Sequence, residues 1–402
     1  MSAGAEQIYF NPWDEAFRAN PYPYYKPLME GPPRVISMFI PMALVARYED
    51  VNAVLHDHER FSSVPPRAPF MEERVGIFGD APRVLFSDPP VHTRLRRLVS
   101  SAFTPRRIRD LEPKIREFTT RLLDRAKSQG GIEVMADLAN PLPVMVIAEM
   151  LGVAHDHYAM FKRWSDVIVE VDNTPPGMPL PDKIRETVAN LRGYFTEEIE
   201  RRRANPGDDL ISVLVAANED SEETLSAGEL LAFVILLLLA GNETTTNLIG
   251  NGMLALTRNP DQLNRLRREP GLIPSAIEEM LRYDCPVQST MRHIRQDVEI
   301  AGTKVPANTP VFVILAAANR DPAKFKSPDV FDIGREPNEH LAFGDGIHFC
   351  LGAALARLEG SIAINALLER FPKLRPANPE APLTYKGSYF LRGLASLPME
   401  IG

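Results

Sequence analysis

The sequence predicts a mainly α-helical fold with small β-sheets, and three observations carry that prediction. Helix-forming residues dominate from Val91 to Tyr283. Two shorter stretches, Val287 to Val313 and Pro382 to Ile401, are rich in β-branched residues broken by glycine and proline, which is typical of short strands. No repeat, low-complexity tract or long linker divides the 402 residues. We therefore expect residues 1–402 to form a single domain.

Composition narrows the class of protein. With 45% hydrophobic residues the chain can bury a large core, and a net charge of −8 argues against a dedicated nucleic-acid binder. The start, Met1 to Phe10, has no charged segment followed by an apolar core, and the longest apolar run, Leu230 to Ala240, is shorter than the ~20 residues of a membrane span. Cys285 and Cys350 could pair, but without a secretion signal free thiols are favoured. We expect a cytoplasmic protein with no membrane partner.

The helical part of the chain includes a first helix, a proline-rich segment and a long helix after it. His92 and Arg96 share one face of a first helix, while Leu95 and other apolar residues recur on another face. The segment from Asn173 to Pro181 holds four prolines and one glycine, so we expect a loop there, acting as a lid over an entry channel. Residues Glu229 to Arg258 contain no proline, which allows a buried helix of about 30 residues and roughly 45 Å.

The stretch from Phe343 to Gly352, with the sequence FGDGIHFCLG, carries the strongest functional signal. Gly344 and Gly346 allow a tight turn that residues with a Cβ disfavour. Cys350 then falls at the start of a helix that ends near Arg370, where unpaired N–H groups and the helix dipole favour an anion. The pattern therefore predicts a stabilised thiolate. The alternative is a buried, apolar cysteine with no chemistry.

A second motif, Ala240-Gly-Asn-Glu-Thr-Thr245, places polar residues inside the long helix. Gly241 would let a flat ligand or an oxygen molecule approach the backbone, and Thr244 can bond back to a carbonyl and open the helix locally. Glu243 beside that hydroxyl can relay protons through water. The alternative is a buried helix whose hydroxyl groups bond only to its own backbone.

A third motif places Glu279 and Arg282 three residues apart, and therefore on one face of a helix. An exposed ion pair at this spacing would contribute only a few tenths of a kcal/mol.

The spacing Phe-Gly-x-Gly-x-His-x-Cys-x-Gly resembles the haem-ligand signature of the cytochrome P-450 family, and all six fixed positions are filled between Phe343 and Gly352. The other motifs also follow the family order and spacing. The resemblance implies the single-domain fold of that family, with haem b (iron protoporphyrin IX) between the long helix and the cysteine loop. It implies Cys350 as the iron ligand, and Glu243 with Thr244 as the acid–alcohol pair that feeds protons to oxygen.

The resemblance also assigns supporting residues. Glu279 and Arg282 would form a buried structural triad with Arg335, which would brace the cysteine loop without doing chemistry. The residues that would contact the haem, with the propionate ligands first and the apolar walls and backbone contacts after them, are His92, Arg96, Arg292, His348, Phe103, Phe343, Ala240, Gly241, Gly344 and Gly352.

By the same resemblance the chain is a monooxygenase that uses O2. Because the sequence carries no flavin or iron–sulfur module, electrons from NAD(P)H would arrive through a separate ferredoxin or flavodoxin and its reductase. An acidic partner would be steered to a run of arginines. That run consists of Arg94, Arg97, Arg106, Arg107 and Arg109. Three alternatives remain: an H2O2-using peroxygenase, a haem sensor or carrier without turnover, and a thiol hydrolase built on Cys350 and His348, which would lack an orienting third residue.

The substrate is expected to be a small, apolar organic molecule. Its pocket would draw on the loop from Phe61 to Phe86, the proline-rich lid, the helix face near Leu236 and Ala240, and the segment from Val287 to Met291. The polar contacts in that last segment would be Gln288, Ser289 and Thr290. Cys285 is given no role.

Overall fold

The structure, a computed structural model, describes residues 9–37, 41–65, 79–128, 130–174, 178–219, 224–386 and 390–402. Four predicted features reach beyond these ranges. The parts that lie outside the described residues are the beginning of the N-terminal stretch, residues 66–78 of the predicted pocket loop, residues 175–177 of the proline-rich segment and residues 387–389 of the second predicted strand stretch. Within the described ranges the chain is mostly helical with small sheets, which confirms the predicted fold class.

Helices account for most of the ordered elements. In chain order they are α1 (Glu15–Ala19), α2 (Tyr22–Met29), α3 (Tyr48–His56), α4 (Val91–Ser100), α5 (Pro105–Ser128), α6 (Pro141–Met150), α7 (Tyr158–Val169), α8 (Asp182–Ala204), α9 (Leu210–Glu219), α10 (Ala227–Arg258), α11 (Pro260–Arg268), α12 (Ile273–Tyr283), α13 (Leu315–Ala318) and α14 (Ala353–Arg370).

The strands are short and form four small sheets. They are β1 (Arg34–Ser37), β2 (Pro41–Val45), β3 (Phe61–Ser62), β4 (Ile132–Glu133), β5 (Thr290–Ile294), β6 (Val298–Ile300), β7 (Thr303–Val305), β8 (Pro310–Val313), β9 (Arg375–Pro376), β10 (Tyr385–Lys386), β11 (Gly393–Leu394) and β12 (Pro398–Glu400). The largest sheet has the order β1-β2-β8-β5-β3, in which only β2 and β8 run parallel. The others are β10-β11, β4-β12-β9 and β6-β7.

The central helix α10 spans 32 residues, close to the predicted range. It begins with a capping box, in which the Ser226 side chain accepts from the Glu229 N–H and the Glu229 carboxylate accepts from the Ser226 N–H. Its last residue is Arg258, and Asn259 caps the helix directly before Pro260. By length and composition this helix could cross a membrane, and half of its most apolar window is buried. A buried core helix of a soluble protein meets the same criterion.

Two apolar cores hold the molecule together. The larger one surrounds α10 and includes Ile147 from α6, Ile277 from α12 and Leu367 from α14. A smaller one packs α3 against the five-stranded sheet, through residues such as Val51 and Val311. The larger core thus supports both the helix that carries the second motif, α10, and the helix that follows the cysteine loop, α14.

Candidate active site

The cysteine loop turns tightly, as predicted. Gly344 and Gly346 both have φ of +66°, a backbone conformation that side chains with a Cβ rarely adopt. A Cβ on Gly346 would also lie 2.6 Å from the carbonyl oxygen of Leu55. The Cys350 N–H donates to the Phe343 carbonyl oxygen at 3.0 Å, which closes the loop. The loop therefore presents Cys350 at a fixed position three residues before α14.

The surroundings of Cys350 act on its thiol in opposite directions. Burial raises the pKa of Cys350, although the Gly352 N–H and the guanidinium groups of Arg96 and Arg357 oppose that shift. The stabilised thiolate stays a prediction, because burial outweighs the groups in this structure that favour the ionised form. Both cysteines are free, as expected, and burial raises the pKa of Cys285 to about 12, so that thiol is inert.

Four basic side chains from three elements meet beside this loop. The rings of His92 on α4 and His348 in the loop have centroids 4.2 Å apart. His92 is only 3% exposed, and its Nε2 has no hydrogen-bond partner among the described residues. His348 Nε2 lies 3.0 Å from Ser63 Oγ. Burial lowers the pKa of both histidines, that of His348 to about 3, with Arg292 as a further cause for His348.

The two arginines of this group lack carboxylate partners within the described ranges. Arg96 donates to the Phe349 carbonyl oxygen at 2.8 Å, and Arg292 donates to the Met291 carbonyl oxygen at 2.9 Å. Burial lowers the pKa of Arg292 to about 10. The nearby acid, Asp88, bonds instead to Arg295 and to Ser62 and Ser63. The result is a basic cluster of two histidines and two arginines, in which His92 and Arg292 are buried and neither arginine bonds to a carboxylate of the described residues.

One face of the central helix is open. Ala240 is exposed and Leu236 and Thr244 are partly exposed, although most of α10 around them is buried. Thr244 Oγ1 donates to the Ala240 carbonyl oxygen at 2.7 Å, the back-bond that the sequence predicts. The helix nevertheless continues as α-helix through this point. The local opening that was predicted is therefore absent from α10.

Glu243 lies on a different side of the helix from the open face. It is buried, and burial raises the pKa of Glu243, while the positive charges of Lys386 and Lys162 oppose the shift. Within the described residues, no hydrogen bond joins Glu243 to Thr244. A proton passing between these side chains would therefore need water.

Gly241 packs closely against a neighbouring helix. A Cβ at this position would lie 2.9 Å from the Ile147 Cδ1 of α6, the end of a side chain that can shift. The predicted contact of Gly241 with a ligand stays a prediction.

The predicted triad is present and buried. Glu279 and Arg282 are both 0% exposed and joined by two bonds of 2.8 Å. Arg335 Nε donates to the same carboxylate at 3.1 and 3.2 Å. The alternative of an exposed surface pair is wrong. Glu279 also accepts from the Asp332 N–H and from Asn338, so one carboxylate holds the segment that leads to the cysteine loop.

Other predicted residues have ordinary surroundings. Phe103 is partly buried and packs edge-on against Phe233, with ring centroids 6.5 Å apart.

Arg94 is bonded to the buried Glu229, so it does not belong to an exposed basic surface. The side chain of Arg106, in contrast, is 87% exposed. Arg109 is exposed as well, and Arg107 is partly exposed.

The predicted pocket is supported in part. A cavity is lined by residues from the end of the predicted loop and from the helix face. Its lining is formed by Pro82, Arg83, Val84, Leu95, Val99, Leu225, Glu229, Ala232, Phe233 and Leu236. Gln288 does not fit the polar role expected for it, because its amide bonds to Tyr25 and to the Cys285 carbonyl oxygen. Thr290 accepts from Arg292 at 3.3 Å.

Sequence reasoning missed a second ion cluster beside the triad. Glu278 on α12 bonds to Arg357 on α14 and to His340. The doubled glutamate in α12 was its only visible signal, because both partners lie more than sixty residues away in the chain.

The fold matches those of solved bacterial proteins over nearly the whole chain. The Bacillus subtilis bacillaene polyketide synthase cytochrome P450 PksS superposes with a TM-score of 0.90 and 36% identity, covering 98% of this chain and 100% of that chain. P450BioI, in complex with an acyl carrier protein ligated to hexadec-9Z-enoic acid, superposes with a TM-score of 0.86 and 37% identity, covering 96% and 99%. The class of protein is thus a mainly helical oxidoreductase.

The sequence comparison makes the assignment specific. The cytochrome P450 family model matches residues 31–392, so the chain belongs to the cytochrome P450 family. Cytochrome P450 107B1 of Saccharopolyspora erythraea is 43% identical over 401 residues, with 97% of each chain covered. The resemblance seen in the sequence is confirmed, and the chain is a monooxygenase whose family implies a haem cofactor.

Proposed function

We propose that this protein inserts one oxygen atom from O2 into a small apolar organic substrate, at a haem b (iron protoporphyrin IX) whose iron is held by Cys350. The basic cluster of His92, Arg96, Arg292 and His348 beside the cysteine loop carries the proposal. His92 is buried with an unpartnered Nε2, and Arg96 and Arg292 bond only to uncharged oxygens among the described residues. Burying such groups is costly unless an anion joins them, and two haem propionates have the required charge.

The protein's own residues would divide the work as follows. Cys350 would hold the iron, and His92, Arg96, Arg292 and His348 would bind the propionates. The remaining contacts to the macrocycle would come from Phe103, Phe343, Ala240, Gly241, Gly344 and Gly352. When bound, a haem held by a cysteine thiolate would supply the electron density that favours O–O cleavage and attack on an unactivated C–H bond.

Glu243 and Thr244 would deliver the proton that this reaction needs. The raised pKa of Glu243 keeps a larger fraction of the carboxyl protonated near neutral pH than an exposed glutamate would. Thr244 already donates its own hydrogen to Ala240, so its oxygen is free to accept a hydrogen bond on the open face. A water between the two side chains would complete the path. A peroxygenase or a haem sensor would not need this pair.

Electrons would come from NAD(P)H through a separate ferredoxin or flavodoxin with its reductase. The exposed Arg106 and Arg109 and the partly exposed Arg107 give an otherwise acidic chain a local excess of positive charge, which supports docking of an acidic partner there. We place the protein in the cytoplasm and treat residues 1–402 as one domain. The substrate would be lipid-like or a polyketide. The fatty acyl chain in the P450BioI complex, the polyketide synthase to which PksS belongs and the largely apolar cavity lining support this proposal.

The iron ligand can be tested with carbon monoxide. The reduced protein is expected to show the red-shifted Soret band of a thiolate-bound haem carbonyl, and Cys350→Ser is expected to abolish it. Cys285→Ser is the matched control, because that thiol is buried outside the cysteine loop, donates to the Val287 carbonyl oxygen and should leave the band unchanged when replaced. Absence of the band from the unaltered protein would refute the proposed function.

The proton path can be tested with Thr244→Ala. A panel of fatty acids, terpenoids, polyketides and small aromatics is first screened for a low-to-high spin shift, and a positive compound serves as the substrate. With NAD(P)H, ferredoxin and reductase, the variant is expected to form product about 100-fold more slowly while still consuming O2. Thr257→Ala is the control, because Thr257 makes a similar bond to the Leu254 carbonyl oxygen elsewhere on α10. Unchanged product yield per O2 would contradict the role of Thr244.

A further inference from the structure

A second carboxylate on α12 holds both sides of the cysteine loop. Arg357 on α14 donates two bonds of 2.7 Å to the two oxygens of Glu278. His340, which precedes the loop, approaches Glu278 Oε2 with its Nε2 at 3.1 Å. Burial would raise the pKa of Glu278, but the bonds from Arg357 and His340 hold it at about 2. The carboxylate therefore stays ionised at all physiological pH values.

The hydrogen bonds fix the orientation of His340. Its Nδ1 accepts from the Ala342 N–H at 3.2 Å, so the ring hydrogen belongs on Nε2, where it is donated to Glu278. The side chain of His340 is almost completely buried. The ring is thus locked between α12 and the residue that leads into the loop.

Arg357 connects this cluster to the cysteine. Its guanidinium carbon lies 4.6 Å from the centre of the Phe343 ring, a cation–π contact. The carbonyl oxygen of Phe343 accepts the N–H of Cys350 at 3.0 Å. The positive charge of Arg357 also acts directly on the Cys350 thiol, favouring its ionised form.

The predicted triad does not account for these contacts. Glu279 bonds to Arg282, Arg335, Asp332 and Asn338, and Glu278 bonds to neither arginine of that set. Two consecutive glutamates therefore hold two separate segments. Only the cluster of Glu278, Arg357 and His340 brings a fixed cation against an aromatic residue of the loop.

We propose that Arg357, oriented by Glu278 and His340, is a positioning residue that sets the reduction potential of the iron through its charge. The inference rests on the proposed function, since it assumes a haem iron bound to Cys350. A nearby cation stabilises the reduced state, which carries one more electron. The side chain of Arg357 is 37% exposed, so solvent screens part of this effect.

The test is a potentiometric titration of the haem-loaded protein. Arg357→Gln removes a positive charge and is expected to shift the reduction equilibrium about tenfold towards the oxidised state, which is about 59 mV more negative for one electron. Glu278→Gln removes a negative charge and is expected to shift the potential in the opposite direction. In the double variant two neutral amides face each other, and the potential is expected to return towards that of the unaltered protein.

A merely structural role predicts a different pattern. Loosening of the loop would move both single variants in the same direction, or would lower the midpoint of thermal unfolding without moving the potential, and either result would overturn the inference. Arg357→Lys keeps the charge without the paired bonds, so its potential should stay near that of the unaltered protein even if the glutamine variants load poorly. If the potential of Arg357→Lys shifted as far as that of Arg357→Gln, the inference would also be overturned.

Two controls separate this inference from the proposed function. Arg370→Gln removes an equal charge from the far end of α14, where Arg370 pairs with Asp124 on the surface, and should leave the potential unchanged. The carbon monoxide spectrum is recorded for every sample. If the unaltered protein lacks the red-shifted band, the proposed function fails. If the band is present and the potential ignores the charges at positions 278 and 357, only the inference fails.

Discussion

Glu279→Ala is expected to destabilise the folded protein by about 3–5 kcal/mol, because it leaves a buried cation without its counter-charge. Arg282 is completely buried and donates to both oxygens of Glu279, and its remaining bonds go to backbone carbonyl oxygens. Arg335 would lose its carboxylate as well. Since folded domains are typically stable by about 5–15 kcal/mol, this loss is a large part of the total.

Urea unfolding followed by circular dichroism measures that loss. Glu369→Ala is a suitable control, because Glu369 is exposed on α14 and bonds only to Asn365. Arg335→Lys keeps the outermost charge of the triad and should cost less than Glu279→Ala, so it remains measurable if the alanine variant does not accumulate. A loss below about 1 kcal/mol for Glu279→Ala would show that the triad is not the buried ion network described above.

Glu359→Gln is expected to change how stability depends on pH. Glu359 is 1% exposed in α14, its Oε2 has no hydrogen-bond partner within the described ranges, and burial raises its pKa from 4.5 to about 8. Between these two values the unfolded chain has released a proton that the folded chain keeps. Stability therefore falls as pH rises through this window, by about 1.4 kcal/mol per pH unit for this group.

Glutamine has nearly the same shape and cannot ionise, so the variant should lack this contribution. Other groups also titrate, and the informative quantity is the difference between variant and unaltered protein in urea unfolding at several pH values. The variant is expected to gain relative stability steadily from pH 4.5 to about 8. Glu369→Gln, on the exposed side of the same helix, should show a flat difference. Parallel profiles for Glu359→Gln and the unaltered protein would mean that the carboxyl group is solvated or paired.

The fold was predictable where local pattern decides it. The absence of proline and the apolar content of residues 229–258 located α10 to within two residues at its start, and the helix ending at Arg370 was also correctly placed. The strands between Val287 and Val313 were expected from their composition. The early strands β1 and β2 were not, because β2 is fixed by parallel pairing with β8, whose residues lie far along the chain.

The site also shows this difference between what local spacing predicts and what long-range contacts decide. Glu279 and Arg282 are three residues apart, so spacing alone put them on one face, whereas the partner of Glu278 lies on another helix and left no local trace. The balance of forces at Cys350 was also beyond the sequence. The helix terminus was visible there, but the extent of burial that outweighs it is a tertiary property.

The ion clusters around the cysteine loop have a consequence for making hybrid enzymes. Their charged members lie between Glu278 and Arg357, in one continuous stretch of the chain. The cavity lining, in contrast, comes from residues 82–99 and 225–236. A crossover placed between α10 and α12 would therefore exchange the lining of this cavity between relatives while transferring each set of charge partners intact.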